Sequence, residues 1–326
     1  MNDTSATVNV SIVVPAFNEQ DTLETLAHSL SATFEALPDL TWELVFIDDG
    51  STDLTWANMS RLADSDSRIR AIKMRRNFGK ALALSAGFEA AKGQIVITMD
   101  ADLQDDPKEI PRFLTKLDEG FDLVSGWKER RQDPLDKTLP SRLFNMVTAK
   151  ISGVKLRDFN CGFKAYRAEV LRNIRLYGEL HRYIPVLAHA QGFRISEIPV
   201  EHHARRFGVS KYGLERYVRG LLDLLTVVAL TRYSTRPGHL FGGVGIVLGG
   251  LSLLSLAWLT GIWLFTSEPI GHRPLLSFGV MSGVIAVQLV CFGMLAELIV
   301  AKGEHIVTSR LVSETRQTQP ATADRG

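Results

Sequence analysis

The 326-residue chain is short of cysteine, of net charge and, at its start, of hydrophobic residues. Its two cysteines are Cys161 and Cys291, and the second lies within an apolar run. That speaks against a disulfide framework and fits a reducing compartment. The net charge of +1 gives no general attraction to polyanions, so nucleic acid is not expected as a partner. The opening MNDTSATVNV has neither a basic stretch nor a long apolar one, so no cleavable secretory signal is expected. No internal repeat is present.

Two segments lack charge almost entirely. They run from about Leu240 to Phe265 and from about Leu275 to Ala301. Neither holds Lys, Arg or Asp, and Glu297 stands near the end of the second. Each exceeds the roughly 20 residues that cross a ~30 Å hydrocarbon core. The link between them, TSEPIGHRP, is short and implies a hairpin with both ends on one side. Arg232, Arg236, Lys302 and Arg310 flank the pair, against Arg273 alone in the link. By the positive-inside rule the N-terminal part and the tail then face the cytoplasm, at the inner membrane. Glycines 242, 243, 245, 249 and 250 permit close helix packing, either within the hairpin or in a homo-oligomer.

Ahead of the hairpin, short β-branched runs alternate with helical patterns. NVSIVVP (9–15), WELVFI (42–47), IRAIKM and QIVITMD read as strands, the last ending at Asp100. Residues 19–36 and Gly79–Ala91 read as helices, and a third is expected to start at Asp53 as N-cap. This alternation implies an α/β domain with a mostly parallel sheet. Ligands collect at the carboxyl ends of such strands, where Pro15, Asp48 and Asp100 fall. From 107 to 212 the pattern is mixed. Residues 213–231 (GLERYVRGLLDLLTVVALT) read as an amphipathic helix on a lipid surface. The tail from Ser309 is polar and reads as disordered. The expected division is a cytoplasmic catalytic domain (1–212), an interfacial helix and linker (213–237), a transmembrane hairpin (238–302) and a tail (303–326).

The acidic motifs carry the chemistry. DADLQ places Asp100, Asp102 and Gln104 at alternate positions, which point one way if the chain is extended. Hard oxygen ligands beside a diphosphate suit Mg²⁺ or Mn²⁺, which would offset charge on a leaving nucleoside diphosphate. In DDGSTD, Asp48 and Asp49 are placed to accept from a base or ribose, and Gly50 allows a tight turn. In VVPAFNE, Phe17 is suited to stack on a base and Glu19 to bind ribose hydroxyls. The bland alternatives are an acidic surface turn and helix capping by Ser51 and Asp53.

VVPAFNE, DDGSTD, RNFGK, DADLQDDP, FNCGFKAYR and RRFGVSKYG occur in the order seen in family 2 glycosyltransferases. Over about residues 10–215 the chain resembles that family, and within it the polyprenyl-phosphate hexosyltransferases. The hairpin extends the likeness. The resemblance implies a GT-A fold, a divalent metal and inversion at the anomeric carbon. It implies a nucleoside pocket of Pro15, Phe17, Glu19, Asp48 and Asp49, and a metal and donor-phosphate group of Asp100, Asp102 and Gln104. It implies phosphate contacts from Arg205, Arg206, Ser210 and Lys211, and from Arg142 to the lipid phosphate. Lys128, Arg130 and Arg131 of GWKERRQD are further candidates, with a solvated basic face as their plain alternative. Asp158, ahead of NCGFK, is left as base or orienter. Glu179, His181 and Arg182 are placed either beside the sugar or in a structural role.

The expected function is inverting hexose transfer from a nucleotide-diphosphate sugar to a polyprenyl phosphate at the bilayer. UDP-glucose heads the candidate donors on family frequency. The alternatives are a processive polysaccharide synthase, against which the missing QxxRW motif counts, and a non-catalytic scaffold or lipid-translocation partner.

Overall fold

The computed structural model describes residues 8–128, 145–201 apart from 151, 175, 177 and 179, then 226, 227 and 233, and 237–302 apart from 267 and 268. The chain forms two units, Met1–Val228 and Ala229–Gly326.

The first unit is built on seven strands: β1 (Val10–Ala16), β2 (Trp42–Asp48), β3 (Ile69–Lys73), β4 (Ile95–Thr98), β5 (Leu123–Lys128), β6 (Lys164–Arg167) and β7 (Ile195–Val200). They lie in the order β3-β2-β1-β4-β6-β5-β7. The first four are mutually parallel. β6 runs against both β4 and β5, and β7 returns parallel to β5. This is the α/β arrangement the resemblance implies, with one reversed strand inside the sheet.

Both faces of the central strands are covered, which is why they read as unbroken apolar runs rather than alternating ones. Side chains still alternate between faces. Ile12 and Val14 join one core with Leu23, Leu26, Leu30 and Phe34 of helix α1 (Leu23–Glu35). Val13 and Ile47 face the other core, under helix α3 (Lys80–Ala90). Gly87 of α3 lies flat against those two residues: a methyl group there would meet Ile47 Cδ1 at 2.8 Å. The intervening helix α2 covers Thr55–Ser65. Its N-cap is Leu54, not Asp53 as expected, although Asp53 Oδ1 does accept the Thr55 N–H at 2.9 Å. Further on, α4 (Ile110–Asp118) packs Phe113 against Phe163, ring centres 4.5 Å apart, and α5 (Ala168–Arg172) and α6 (Ile184–Ala190) follow.

The second unit is a hairpin of α7 (Pro237–Thr266) and α8 (Pro274–Lys302). Both helices are long and apolar enough to cross a membrane. Their outer faces are bare: Ile246 is 72% exposed and Phe265 89%. A core helix of a soluble protein would bury such residues, so this surface requires an apolar surrounding. Gly245 and Gly249 turn inward onto α8, where a methyl at 245 would lie 2.9 Å from the Ala286 carbonyl. Ser252 Oγ donates to the Gly279 carbonyl at 2.6 Å. Glu297 is absorbed at the helix end: its Oε2 accepts the Gly238 N–H at 2.8 Å, one of the donors that the first turn of α7 leaves unpaired.

Candidate active site

Parallel pairing brings three loops to one edge of the sheet, because β1, β2 and β4 all end there. The loops after β1 and β2 are stitched together. Asn18, at φ +56°, donates its N–H to Ser51 Oγ at 2.9 Å and accepts the Thr52 N–H through Oδ1 at 2.9 Å. Ser51 therefore braces the loop instead of capping a helix. Glu19 N–H donates to Thr55 Oγ1 at 2.8 Å. Gly50 takes φ +71°, and any side chain there would strike the main chain at Arg76 and Asn77. Only glycine fits both the turn and that approach.

The two carboxylates of DDGSTD do different things. Asp49 accepts the N–H groups of Phe78 and Gly79, at 2.8 and 2.9 Å, and so anchors the loop ahead of α3. Burial raises its pKa despite these two donors, and the adjacent Asp48 adds to the rise. Asp48 is fully buried. Its Oδ1 accepts the Ser51 N–H at 2.8 Å, and its Oδ2 has no hydrogen-bond partner among the described residues. A buried carboxylate oxygen without a donor is costly unless a ligand supplies one. Pro15 lies within β1 opposite Ile47, and Phe17 and Glu19 follow half-buried in the loop.

The DADLQ segment is not extended. β4 ends at Thr98, and the chain turns through residues 101–103 with Leu103 at φ +59°. Alternate pointing along a strand is thus not what gathers the acids. Asp102 Oδ1 accepts the Gln104 N–H at 3.2 Å within the turn. Asp102 and Asp105 are buried and Gln104 is half-buried. Burial, then the neighbouring Asp100, pushes Asp105 up to about 6.

Asp100 has two close neighbours. Lys80, the first residue of α3, places its ammonium directly on Asp100 Oδ1. On the other side lies Gly162, where a methyl would stand 2.8 Å from both carboxylate oxygens. Burial alone would raise the Asp100 pKa and lower that of Lys80. Their mutual attraction overrides it, holding the carboxyl below and the ammonium above their usual ranges.

Gly162 belongs to the loop before β6, which is held from inside. Thr98 Oγ1 donates to the Gly162 carbonyl at 2.7 Å. Buried Lys164 donates to the carbonyls of Cys161 and Phe159, and burial lowers its pKa. Asp158 is buried and accepts the Asn160 N–H at 3.0 Å. Lys80, Asn160, Lys164, His181 and Arg182 line one narrow cleft. Burial, with Lys80 and Arg182 adding to it, pushes the His181 pKa well below its ordinary value.

Asp48 at the end of β2 and Asp100, Asp102, Gln104 and Asp158 in loops therefore all lie around the carboxyl edge, with Lys128 closing β5. Arg130, Arg131, Arg142, Glu179, Arg205, Arg206, Ser210 and Lys211 lie outside the described residues, as does most of 213–231. Lys80, Asn160, Lys164 and Gly162 were not singled out from the sequence, although RNFGK and FNCGFK contain all four of them. Their signal was a lysine opening a helix after glycine and a lysine inside a strand pattern.

Does this donor set fit a divalent cation? Among the described residues no three Asp, Glu, His or Cys side chains converge on one point. Two carboxylates and an amide make half a site. That suits Mg²⁺ or Mn²⁺, which take one or two carboxylates and complete their shell with substrate phosphates and water. The space kept by Gly162 beside Asp100 is consistent with a carboxylate that must meet a ligand.

An acidic turn at the carboxyl edge of a mostly parallel sheet is the site this fold presents, and comparison with known proteins gives its class. The pattern of glycosyl transferase family 2 matches residues 11–175. The chain belongs to that family and is a glycosyltransferase. It is 41% identical over 303 residues to the dodecaprenyl-phosphate galacturonate synthase of Rhizobium johnstonii, covering 91% of this chain and 89% of that one. It is 36% identical over 300 residues to an undecaprenyl-phosphate 4-deoxy-4-formamido-L-arabinose transferase of Salmonella paratyphi A, covering 92% and 90%. Among solved structures, the Mycobacterium tuberculosis glucosyl-3-phosphoglycerate synthase with Mn²⁺, UDP and phosphoglyceric acid superposes with a TM-score of 0.53 at 22% identity, over 69% of this chain and 78% of that one. That likeness bears on the fold alone, which is of the GT-A type.

Proposed function

We propose that the chain transfers a sugar from a nucleotide diphosphate to a polyprenyl phosphate at a membrane, with inversion at the anomeric carbon. The observation that carries this reading is the acidic turn Asp100–Asp105 at the carboxyl edge, with Asp102 and Asp105 buried, in a chain that also carries a bare apolar hairpin. Relatives whose names specify polyprenyl-phosphate acceptors support it. Their sugars differ, galacturonate in one and a formamido-arabinose in the other. The donor therefore ranges beyond UDP-glucose, and a UDP-sugar is our leading candidate.

In this reading Asp48, Phe17, Glu19 and Pro15 hold the nucleoside, with the spare oxygen of Asp48 taking a donor from it. Asp100, Asp102 and Gln104 would hold Mg²⁺ or Mn²⁺, which when bound offsets the charge of the departing diphosphate. Arg205, Arg206, Ser210 and Lys211 would meet phosphates of the substrates, and Arg131 and Arg142 the lipid phosphate. The acceptor oxygen attacks the anomeric carbon, the bond to the donor phosphate breaks, and the nucleoside diphosphate leaves. A phosphate monoester is largely dianionic near pH 7, its second pKa being about 6, so no base has to remove a proton. Asp158, buried and bonded to its own loop, then acts by orienting. Catalysis rests on placement and electrostatics. The catalytic unit, a surface helix at 213–231 and the hairpin would be arranged with the active site on the cytoplasmic side of the inner membrane.

The test is transfer from a panel of radiolabelled UDP- and GDP-sugars, glucose, galacturonate and aminoarabinose derivatives included, to polyprenyl phosphate by the full chain in detergent. Organic-phase label from one donor, lost with EDTA, is expected. Metal-dependent nucleotide binding without label from any donor would overturn the acceptor assignment.

A further inference from the structure

One carboxylate of that set, Asp100, already has a cation on it, and that cation is part of the chain. Lys80 pairs with Asp100 across 20 residues of sequence. Its main chain is pinned, since the N–H groups just ahead of it are held by Asp49 and Lys80 itself opens α3. Its side chain is not: it keeps a third of its surface exposed, and four methylenes let the ammonium swing while the helix stays still. Asp100 is the shorter of the two side chains, and even a methyl at Gly162 would stand 2.8 Å from both its oxygens. Where one carboxylate faces a movable ammonium and a divalent cation needs the same oxygens, the two compete.

We propose that Lys80 is the resident counter-ion of Asp100, and that it makes divalent-cation binding depend on the nucleotide. Without donor, the ammonium holds the carboxylate and the protein offers too few ligands to displace it. The donor diphosphate supplies the missing ligands, and its negative charge gives the displaced ammonium a new partner at the amino end of α3, where helix polarity also favours an anion. Metal and nucleotide thus bind as a unit. Lys80 acts here as a positioning residue, and the inference rests on the metal reading given above.

The experiment is Mn²⁺ titration of the full chain in detergent, following the signal of free Mn²⁺ by electron paramagnetic resonance, with and without UDP or GDP. The wild type should bind Mn²⁺ at least about tenfold more tightly when its nucleotide is present, a coupling of ordinary size. Lys80→Met should bind Mn²⁺ without nucleotide about tenfold or more tighter than wild type, so that the nucleotide adds less. Lys80→Arg, which keeps the charge, should restore the dependence. Lys80→Gln, close in shape and neutral, carries the same test if the methionine variant does not fold. Neutral variants that bind Mn²⁺ no better than wild type, while the wild type with nucleotide binds it well, would overturn the inference and leave the metal reading intact. A wild type that binds no Mn²⁺ even with nucleotide overturns both.

Discussion

A methyl group at residue 162 would stand 2.8 Å from both oxygens of Asp100 and 2.9 Å from its carboxyl carbon. Gly162→Ala is therefore a steric probe aimed at one carboxylate. The backbone does not oppose it, because Gly162 is not among the glycines at positive φ. Ordinary contact needs roughly 3.5 Å, so the carboxylate must retreat by roughly half an ångström or more. Asp100 can do this by rotating its short side chain, with the Lys80 ammonium following. The cost to folding is then at the low end of the ~1–3 kcal/mol typical of overpacking, partly offset by the lower entropy of the unfolded alanine chain. The cost to function is larger, since a misplacement of about 1 Å at a reacting centre can lose about a hundredfold in rate. We expect transfer to fall about 10- to 100-fold with the thermal midpoint of the catalytic unit nearly unchanged. Initial rates from organic-phase radiolabel, paired with a melting curve on the same preparation, separate the two effects. A variant that transfers sugar within about twofold of wild type would refute the view that Asp100 must stay where Gly162 lets it lie.

Asp102→Asn should nearly abolish turnover while the melting curve stays close to wild type, and near-normal activity would remove Asp102 from the metal group. Glu297→Ala strips the acceptor from the Gly238 N–H and should cost the hairpin about 1 kcal/mol, the usual value of a lost cap, read as reduced resistance to unfolding in mixed micelles. An unchanged unfolding curve would mean that lipid or water serves that amide equally well. Cys161 supplies a pH prediction. Burial, then the carboxylates of Asp105 and Asp158, pushes its thiol up to about 12, from 9.0 in the unfolded chain. A raised folded pKa gives stability that is complete below about pH 9 and is lost as pH rises through 12, at about 1.4 kcal/mol per unit. Cys161→Ala should flatten that alkaline slope, and equal slopes in the two proteins would show that the thiol does not matter.

Much of the molecule was legible along the chain. The β-branched runs that became β1 to β4 carry their own burial signal, and the long uncharged runs that became α7 and α8 carry theirs. Segment limits differ from the sequence reading by only a few residues, as with β4, which stops at Thr98 rather than Asp100. The reversed strand β6 was not legible. KAYR is four residues long, and nothing within it distinguishes a strand running with its neighbours from one running against them. Asp53 also misled: it does accept a helix N–H, but the backbone geometry puts the cap one residue later. Gly245 and Gly249 showed the capacity for close packing, and only the fold turned them towards α8.

The sequence by itself determined the residue types of the site and the edge of the sheet on which they collect. Motif order and strand ends are local properties, and parallel pairing converts them into a shared edge. Tertiary structure alone decided which groups touch. Asp100 meets Lys80 from the start of a helix and Gly162 from a loop before an antiparallel strand, two segments far from each other in sequence. It also divided the labour of adjacent acids, since Asp49 is spent on the Phe78 and Gly79 amides while Asp48 keeps an oxygen to spare. The physical reason is the range of the forces. Hydrophobic pattern and backbone preference act between near neighbours and can be read in order, whereas ion pairs and steric contacts depend on distance in space, which exists only once the chain has folded.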